Sequence, residues 1–500
     1  MSFSSHAVAS AAVSLVCGVT QSLGWQLVNT NLGGIQGALG ATAAEATWLT
    51  TAYFSTAITA ILLMTKVRLH YGLHAIANAG VAAFLVIAVL HLFTSNLSSA
   101  IAVRAAHGIA AAPLAMMAIF YMIQAFPKRL MAAGVVLGLG TLQLGAPLSR
   151  LVSQDLLEYG QWHGLYLLDV AFALLSLAAI NAVKLEPGPR ENALTRGDLV
   201  SFPLWSGGIA LLCIVITQGR QYWWRDAGWL GACLAGAIAC LGLFAAVELN
   251  RRRPMLNLRW LASPYMLRFV ATVILFRLIV AEQAGVAGLL ATFGLNNDQM
   301  HGLSLLVLGG TVAGFFAALA VAIRFSPTVV AILAAALIGI GAWMDSDASA
   351  LTRVPEVFAS QTLLALAASM FFAASVMVGF RRIAAAGMKD AVSFFAIFPA
   401  AQFLGSLLGS AWVSTYVADR TERNFAALSE HLSSSDPQVA GRVLRQGVES
   451  LTQQATREAA VLAYNDLFQV IAAIALGIIL WFLAIAWTQK PAPAPAPEAA

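Results

Sequence analysis

One apolar stretch, FRLIVAEQAG at residues 276 to 285, contains an arginine and a glutamate. The run around it, residues 265 to 289, is long enough to cross a membrane as a helix. A charge at the centre of such a helix costs about 2.5–3.5 kcal/mol on insertion scales, so it is retained where it faces a cavity or a partner. Arg277 and Glu282 are offset by about 140° on a helix and do not pair with each other. Each therefore needs a partner from another helix or from water.

Two interpretations of Arg277 and Glu282 are open. In the first, Glu282 takes up and releases a proton, while Arg277 holds an anionic group of a substrate or a second carboxylate. In the second, both residues belong to structural ion pairs, or the helix boundary lies elsewhere and Glu282 is near the outer end of the span.

Four more titratable residues lie in or beside apolar runs. Arg104 is either functional or snorkels from a helix end, and His107 either titrates near neutral pH or fills a polar slot. Arg150 and Asp169 lie near the adjoining ends of two consecutive runs. This placement favours a structural ion pair between them, with a gating pair as the alternative.

The elements that must position these residues are membrane helices. Hydrophobic residues make up 60% of the chain and charged residues 10%, against about 45–50% and 25% in soluble proteins. The runs are continuous rather than alternating, which indicates helices and not a β-barrel. The fold class is therefore predicted to be an all-α polytopic membrane protein. Fourteen spans are predicted, at residues 8–28, 46–64, 73–94, 100–124, 131–154, 163–184, 201–218, 227–249, 265–289, 300–323, 327–344, 357–380, 390–413 and 464–487.

The distribution of basic residues predicts the orientation. Lysine and arginine are concentrated in alternate loops, so the positive-inside rule predicts a multi-pass protein with both termini in the cytoplasm. The modest net charge of +5 reports these loops and predicts no nucleic-acid partner. The first apolar run is read as a retained span and not a signal peptide. The four cysteines lie in apolar runs without metal-ligand spacing, so no metal site is expected.

Two segments differ in composition from the spans. Residues 414 to 463 form the longest polar loop, and within it Asp436 and Pro437 predict the start of an amphipathic helix that runs into the last span. The apolar stripe of this helix is formed by Val439, Val443, Val448, Leu451, Ala455, Ala459 and Leu462. Residues 488 to 500 are a Pro/Ala tail, predicted to be extended and disordered.

Several motifs together resemble a known family over nearly the whole chain. They are LVNTNLGGIQGALGATAAEATWLTTAYF (27 to 54), RAAHGIAAAP (104 to 113), GLGTLQLGAP (138 to 147), ELNRRRPMLNLRWL (248 to 261) and QQATREAAVLAYNDLF (453 to 468). The sequence resembles the 14-span drug:proton antiporters of the major facilitator superfamily, most closely the EmrB-like exporters. Four positions depart from the family pattern. Glycines stand at 24 and 33 in place of an acidic residue and a proline, Leu69 replaces the acid of the loop after span two, and Arg150 stands where a glycine is expected.

The resemblance implies a fold of two six-helix bundles, residues 1–184 and 265–487, with a linker and two inserted helices at 185–264. It implies export of hydrophobic or amphipathic toxic compounds across the bacterial cytoplasmic membrane, driven by the proton gradient without another cofactor. A periplasmic adaptor and an outer-membrane channel are possible partners. Candidate proton-coupling residues are Glu282, Arg104 and Asp169. Candidate residues of a substrate cavity are Arg277, Gln26, Asn31, Gln143, Arg150 and His107.

Two other functions are compatible with parts of the sequence, whereas a membrane enzyme is disfavoured. The missing acid at Gly24 and the altered loop at Leu69 fit a sensor or scaffold that keeps the fold without transporting. The arginines favour an exporter of a specific anionic metabolite. A membrane enzyme would need acids, bases or nucleophiles gathered near one face, and the short basic loops argue against it.

Overall fold

The chain folds into fourteen helices that are long and apolar enough to cross a membrane, which confirms the predicted fold class and number of spans. The structure is a computed structural model that describes residues 5–152, 161–188, 190–385, 390–432 and 436–488. The predicted disordered tail lies outside the described residues from position 489 onward. The helices are α1 Ser5–Thr30, α2 Ala43–Tyr71, α3 Leu73–His91, α4 Leu97–Ala125, α5 Lys128–Ser149, α6 Gly164–Ala182, α7 Asp198–Gln218, α8 Gly228–Leu249, α9 Pro264–Thr292, α10 Asn297–Arg324, α11 Pro327–Asp345, α12 Val354–Ala384, α13 Ala391–Glu430 and α14 Pro437–Ala484.

The helices form two bundles of six with two helices between them, as predicted. In the first bundle, α4 packs against α1, α2, α3 and α5; in the second, α12 packs against α10 and α11, and α14 packs against α11 and α13. The inserted helices α7 and α8 pack on each other, and α7 also packs on α2. An even number of spans returns the chain to the face where α1 begins. We call this the terminal face, and the opposite side the far face.

Two helices are interrupted where they pass between the bundles. Helix α9 consists of Pro264–Val280 and Glu282–Thr292, with a break at Ala281. Helix α5 contains the segments Met131–Thr141 and Gly145–Ser149. The backbone of Ala281 nevertheless stays in the right-handed helical region, with φ −62° and ψ −10°, and its N–H donates to the carbonyl of Arg277. The interruption in α9 is therefore one residue long, and Glu282 follows it directly.

The segment predicted as the longest polar loop is mostly helical, which corrects the sequence interpretation. Helix α13 continues to Glu430 instead of ending near residue 413. Its polar extension is held by ion pairs that a composition profile does not show: Arg420 lies 2.9 Å from Asp466 of α14, and Arg423 lies 3.0 Å from Asp419 one turn earlier. Such pairs offset the lack of an apolar face.

The predicted helix start at Pro437 is confirmed, and the helix bends at Gly447, where φ is 81°. Its apolar stripe is only partly covered. Ala455 and Ala459 are buried, whereas Val448 and Leu462 are exposed. The half of α14 nearest the membrane therefore packs on its own bundle through small residues.

A buried network of four charges ties the inserted helices to the first bundle at the terminal face. The carboxylate of Asp198, at the start of α7, lies 2.8 Å from the amine of Lys66 in α2 and 2.6 Å from the guanidinium of Arg251. Arg251 also pairs with Glu248 at the end of α8. The acid that meets the basic end of α2 thus comes from α7. Leu69, which was predicted to lie in the loop after span two, is part of helix α2 itself.

We predict that Asp198→Asn destabilises the protein strongly, because it leaves the ammonium of Lys66, whose side chain is 7% exposed, without a countercharge. Breaking a buried pair by removing one partner costs about 3–5 kcal/mol. Asp419→Asn is the matched control, because Asp419 forms an exposed pair worth at most about 1 kcal/mol. Thermal unfolding of the purified proteins in detergent measures the loss of stability of each variant relative to the wild type. Equal midpoints for the two variants would contradict the prediction.

Candidate functional site

A cavity of about 1140 Å³ lies between the two bundles. Its walls come from α1, α2, α4, α5, α9, α10, α12 and α13, and they are largely apolar. The aromatic part of the lining is formed by Trp25, Phe120, Phe276, Phe372, Phe380, Phe395, Phe398 and Phe403. A concave apolar site with a few polar groups is the usual form of a small-molecule site.

The charged groups among the described residues of this lining are all arginines: Arg68, Arg150 and Arg277. No aspartate or glutamate is among them. The Nε–H of Arg277 donates to the amide oxygen of Gln402 on α13, and Arg68 lies 4.8 Å from the ring centre of Phe120. None of the three forms an ion pair with a described residue, so within the described part of the chain their positive charges have no countercharge.

The structure places Arg150 differently from the sequence prediction. Arg150 lines the cavity, whereas the carboxylate of Asp169 is turned into the first bundle, 3.3 Å from the Nε2 atom of His107. The predicted pairing of Arg150 with Asp169 is therefore wrong. Adjacent helix ends bring backbones together, but the rotation of each helix decides where the side chains point.

The three predicted uncharged residues, Gln26, Asn31 and Gln143, lie on the cavity wall. Asn31 donates to the carbonyl of Leu27 at 2.8 Å and accepts from Asn297 of the second bundle at 3.4 Å. This contact joins the bundles near the far face. A role of Gln26, Asn31 and Gln143 in binding a substrate stays a prediction.

Arg104, His107 and Asp169 form a buried chain of polar groups, which we call the first-bundle cluster. Arg104 donates to the carbonyl of Gly24 at 2.8 Å, and its guanidinium nitrogen lies 3.2 Å from Nδ1 of His107. A guanidinium only donates, so Nδ1 accepts and the proton of the neutral imidazole is on Nε2. Nε2 lies 3.3 Å from a carboxylate oxygen of Asp169, and the two atoms form no hydrogen bond in this geometry.

The first-bundle cluster is separate from the cavity. His107 was a candidate for the cavity wall, but it is fully buried behind α1 and belongs instead with Arg104 and Asp169. A Cβ at Gly24 would lie 3.1 Å from the ring of His107. Asp169 approaches the same ring from α6. The carboxyl group beside the imidazole of His107 is thus supplied by Asp169 of α6, whereas the facing position of α1 is Gly24.

A second buried group involves Glu282, and we call Glu282 and Asp345 the carboxyl pair. The amide nitrogen of Gln361 donates to Glu282 at 3.0 Å and to Asp345 at 2.8 Å. The hydroxyl of Ser360 donates to Asp345 at 2.6 Å. Glu282 is completely buried and does not line the cavity, whereas Gln361 does.

Sequence reasoning missed four residues of these sites. Asp345 ends the α11 helix, so it was assigned to a loop. Gln361 and Gln402 are single amides within apolar runs, and only their contacts distinguish them from packing residues. Arg68 was counted as a loop charge. A polar residue inside a predicted span was the available signal for the two glutamines.

Comparison with known proteins supports the fold. No family model matches the chain. Residues of this chain are 24% identical, over 225 residues, to the cephamycin export protein CmcT of Amycolatopsis lactamdurans, covering 44% of this chain and 46% of CmcT. They are 22% identical over 224 residues to the fatty acid resistance protein FarB of Neisseria gonorrhoeae, covering 45% of this chain and 44% of FarB. The matches thus span less than half the length of these relatives.

Solved structures match over almost the whole chain. Tetrameric PepTSo2 superposes with a TM-score of 0.57 at 12% identity, covering 96% of this chain and 98% of that one. The proton:xylose symporter XylE of the major facilitator superfamily superposes with a TM-score of 0.50 at 11% identity, covering 96% and 97%. The chain therefore has the major facilitator fold, here with fourteen candidate membrane spans.

The position of Arg277 depends on the close approach of α9 and α13, which gives a prediction. A Cβ at Gly409 would lie 2.9 Å from the backbone oxygen of Arg277. We expect Gly409→Ala to destabilise the protein by about 1–3 kcal/mol through overpacking. Gly477→Ala is the control, because nothing lies within 4 Å of its Cβ, and we expect it to be neutral or stabilising by up to about 1 kcal/mol. A thermal shift of the same sign in both variants would contradict the prediction.

Proposed function

We propose that the protein is a proton-coupled exporter, resembling the EmrB-like antiporters, for amphipathic compounds that carry an anionic group. The observation that carries the proposal is the charge of the cavity. Its described lining contains three arginines and no carboxylate, within walls that are mostly apolar. Such a site attracts a molecule with a hydrophobic body and a negative head.

The energetic argument rests on Arg277. A hydrogen bond to a charged group contributes about 1.5–3 kcal/mol, and a guanidinium binds carboxylates and related anions through two parallel donors. Gln402 uses the Nε–H of Arg277 and holds the side chain in place. The terminal nitrogens make no hydrogen bond to a described residue, so they are available to a ligand.

The relatives are compatible with this chemistry. One is named for cephamycin export and the other for fatty acid resistance. Both names concern amphipathic compounds with carboxyl groups, and both support export more than import.

The proposal assigns proton coupling to the buried carboxyl groups Asp169 and Glu282. A carboxyl group in an apolar interior tolerates burial when it is neutral and requires polar partners when it is charged. A change of protonation therefore alters which arrangement of the helices is favoured. Arg104 orients the imidazole that faces Asp169. The proton gradient is the energy source of the proposed cycle.

The proposed location is the cytoplasmic membrane of a bacterium, with the terminal face in the cytoplasm as the positive-inside rule predicts. The helical extension of α13 and the start of α14 then lie on the outer side. Val448 is exposed on this extension. An adaptor protein that docks there stays a prediction.

The charge preference is tested with two probes of the same shape, tetraphenylborate and tetraphenylphosphonium. We expect the purified protein to bind the anion at least about tenfold more tightly than the cation. Arg277→Gln should weaken binding of the anion by about tenfold, the equivalent of about 1.4 kcal/mol, because it removes one positive charge from the cavity wall. Arg252→Gln is the control, since Arg252 is exposed outside the cavity. Equal affinities for both probes in the wild type would contradict an anionic substrate class.

Transport is tested in proteoliposomes with anilinonaphthalenesulfonate, an amphipathic anion, under an imposed pH gradient. We expect the gradient to drive extrusion by the wild type. Asp169→Asn should abolish this dependence but leave exchange of labelled for unlabelled probe intact, because the cavity is unchanged. If folded wild type moves no probe, the non-transporting scaffold is favoured. If Asp169→Asn remains fully coupled, Asp169 is structural.

A further inference from the structure

One side chain connects the carboxyl pair with the central cavity. Gln361 is 3% exposed and lies on the cavity wall, and its amide nitrogen donates to both Glu282 and Asp345. Among the described residues, no other cavity-lining side chain donates to either carboxyl group. Any change in the hydrogen bonding of the pair must therefore reach the cavity through this amide.

The surroundings determine which end of the amide faces the pair. The nitrogen lies between carboxyl oxygens of Glu282 and Asp345, both of which accept, and Ser360 occupies the other oxygen of Asp345. The amide oxygen of Gln361 has no hydrogen-bond partner in the described part of the chain. An acceptor of this kind, on a side chain this deeply buried, leaves one hydrogen-bonding position for a ligand.

The carboxyl pair has no cationic partner in the described residues. The two carboxyl groups accept from the same amide nitrogen, at 3.0 and 2.8 Å, so their oxygens lie close together. None of the ion pairs between described residues includes either of them. Two negative charges at this separation and depth repel strongly. The pair therefore shares a proton, and its titration belongs to both residues together.

In the described part of the chain, the contacts of four neighbouring titratable groups lead away from the pair. Arg277, on the same helix as Glu282, is turned to Gln402. Tyr464 of α14 lies against Gly288, more than a turn beyond Glu282. Two other charged residues near this end of the bundle are engaged elsewhere: Arg353 donates to the backbone of Leu351, and Asp466 pairs with Arg420.

We infer that a proton and a hydrogen-bond donor of the substrate compete for the amide oxygen of Gln361. When a substrate hydroxyl or N–H donates to that oxygen, the amide nitrogen stays on the carboxyl pair and stabilises its charged form, so the pair releases a proton. When the pair is fully protonated, an acid O–H donates to the same oxygen. The amide then turns over, and the acceptor is withdrawn from the cavity.

This competition couples the two binding events in the direction that antiport requires. A bound proton lowers the affinity for substrate, and bound substrate promotes release of a proton, because both use the same oxygen atom. It also refines the substrate class: besides its anionic group, the compound carries a hydrogen-bond donor that reaches Gln361. The inference rests on the proposed function for its physiological meaning. Its test is a binding measurement, which is independent of transport.

The test compares 4-methylnaphthalene-1-sulfonate with 4-(hydroxymethyl)naphthalene-1-sulfonate at pH 6, using titration calorimetry in buffers of different ionisation enthalpy. Both probes carry a permanent negative charge, and the alcohol does not ionise near this pH, so released protons come from the protein. We expect the hydroxylated probe to bind more tightly and to release up to about one proton per molecule bound. The probe without the hydroxyl should release clearly less.

In Gln361→Met, which removes the acceptor but keeps a similar volume, the two probes should bind alike and release equal amounts of protons. Glu282→Gln should have the same effect, because it removes the shared proton. Gln143→Met is the matched control: it changes another amide of the cavity wall that makes no contact with the pair, so the difference between the probes should persist.

Two outcomes would overturn the inference. The first is a wild type in which the hydroxyl changes neither affinity nor proton release, a result that needs no variant and does not depend on folding. The second is a folded Gln361→Met protein that keeps the wild-type difference. Failure of the proposed function is a separate result, namely folded wild type that moves no anilinonaphthalenesulfonate.

Discussion

The cost of placing charge in an apolar interior is the constraint on which the rest of this structure depends. A chain with so few charged residues can carry them into its helices only where each finds a polar partner, another charge or a cavity. The network of Lys66, Asp198 and Arg251 satisfies this by mutual pairing. Arg104 satisfies it through a carbonyl and an imidazole. The arginines of the cavity do so by facing an open volume between the bundles.

The same constraint separates three polar regions that a linear sequence mixes. The cavity is positive and wide, the first-bundle cluster is closed behind α1, and the carboxyl pair is closed within the second bundle. The buried carboxyl groups therefore lie beside the cavity and not in its wall. Gln361 bridges the carboxyl pair to the cavity, while in the first bundle α1 forms the boundary between Asp169 and the cavity. Such a division allows the lining of the cavity to vary without rebuilding the two buried groups of carboxyl side chains.

Much of the fold could be predicted from the sequence, because each membrane helix is marked by its own length and hydrophobicity. Length and continuous apolarity located all fourteen spans, since the hydrocarbon layer has a fixed thickness. Prediction was less successful where partners decide the outcome. The extension of α13 was read as a loop, because its helix is held by Arg420 pairing with Asp466 of a different helix. The proposed bond between Arg150 and Asp169 was wrong because sequence adjacency of helix ends does not specify helix rotation.

The sequence alone determined the number of spans, the class of fold and the fact that a few buried charges require explanation. These follow from hydrophobicity and length, which are properties of each segment by itself. Only the tertiary structure decided which charges meet. It placed Glu282 beside Asp345 and Gln361, and Asp169 beside His107, across helices far apart in the chain. The reason is physical: burial makes a partner necessary, but the packing angles and rotations of fourteen helices choose the partner.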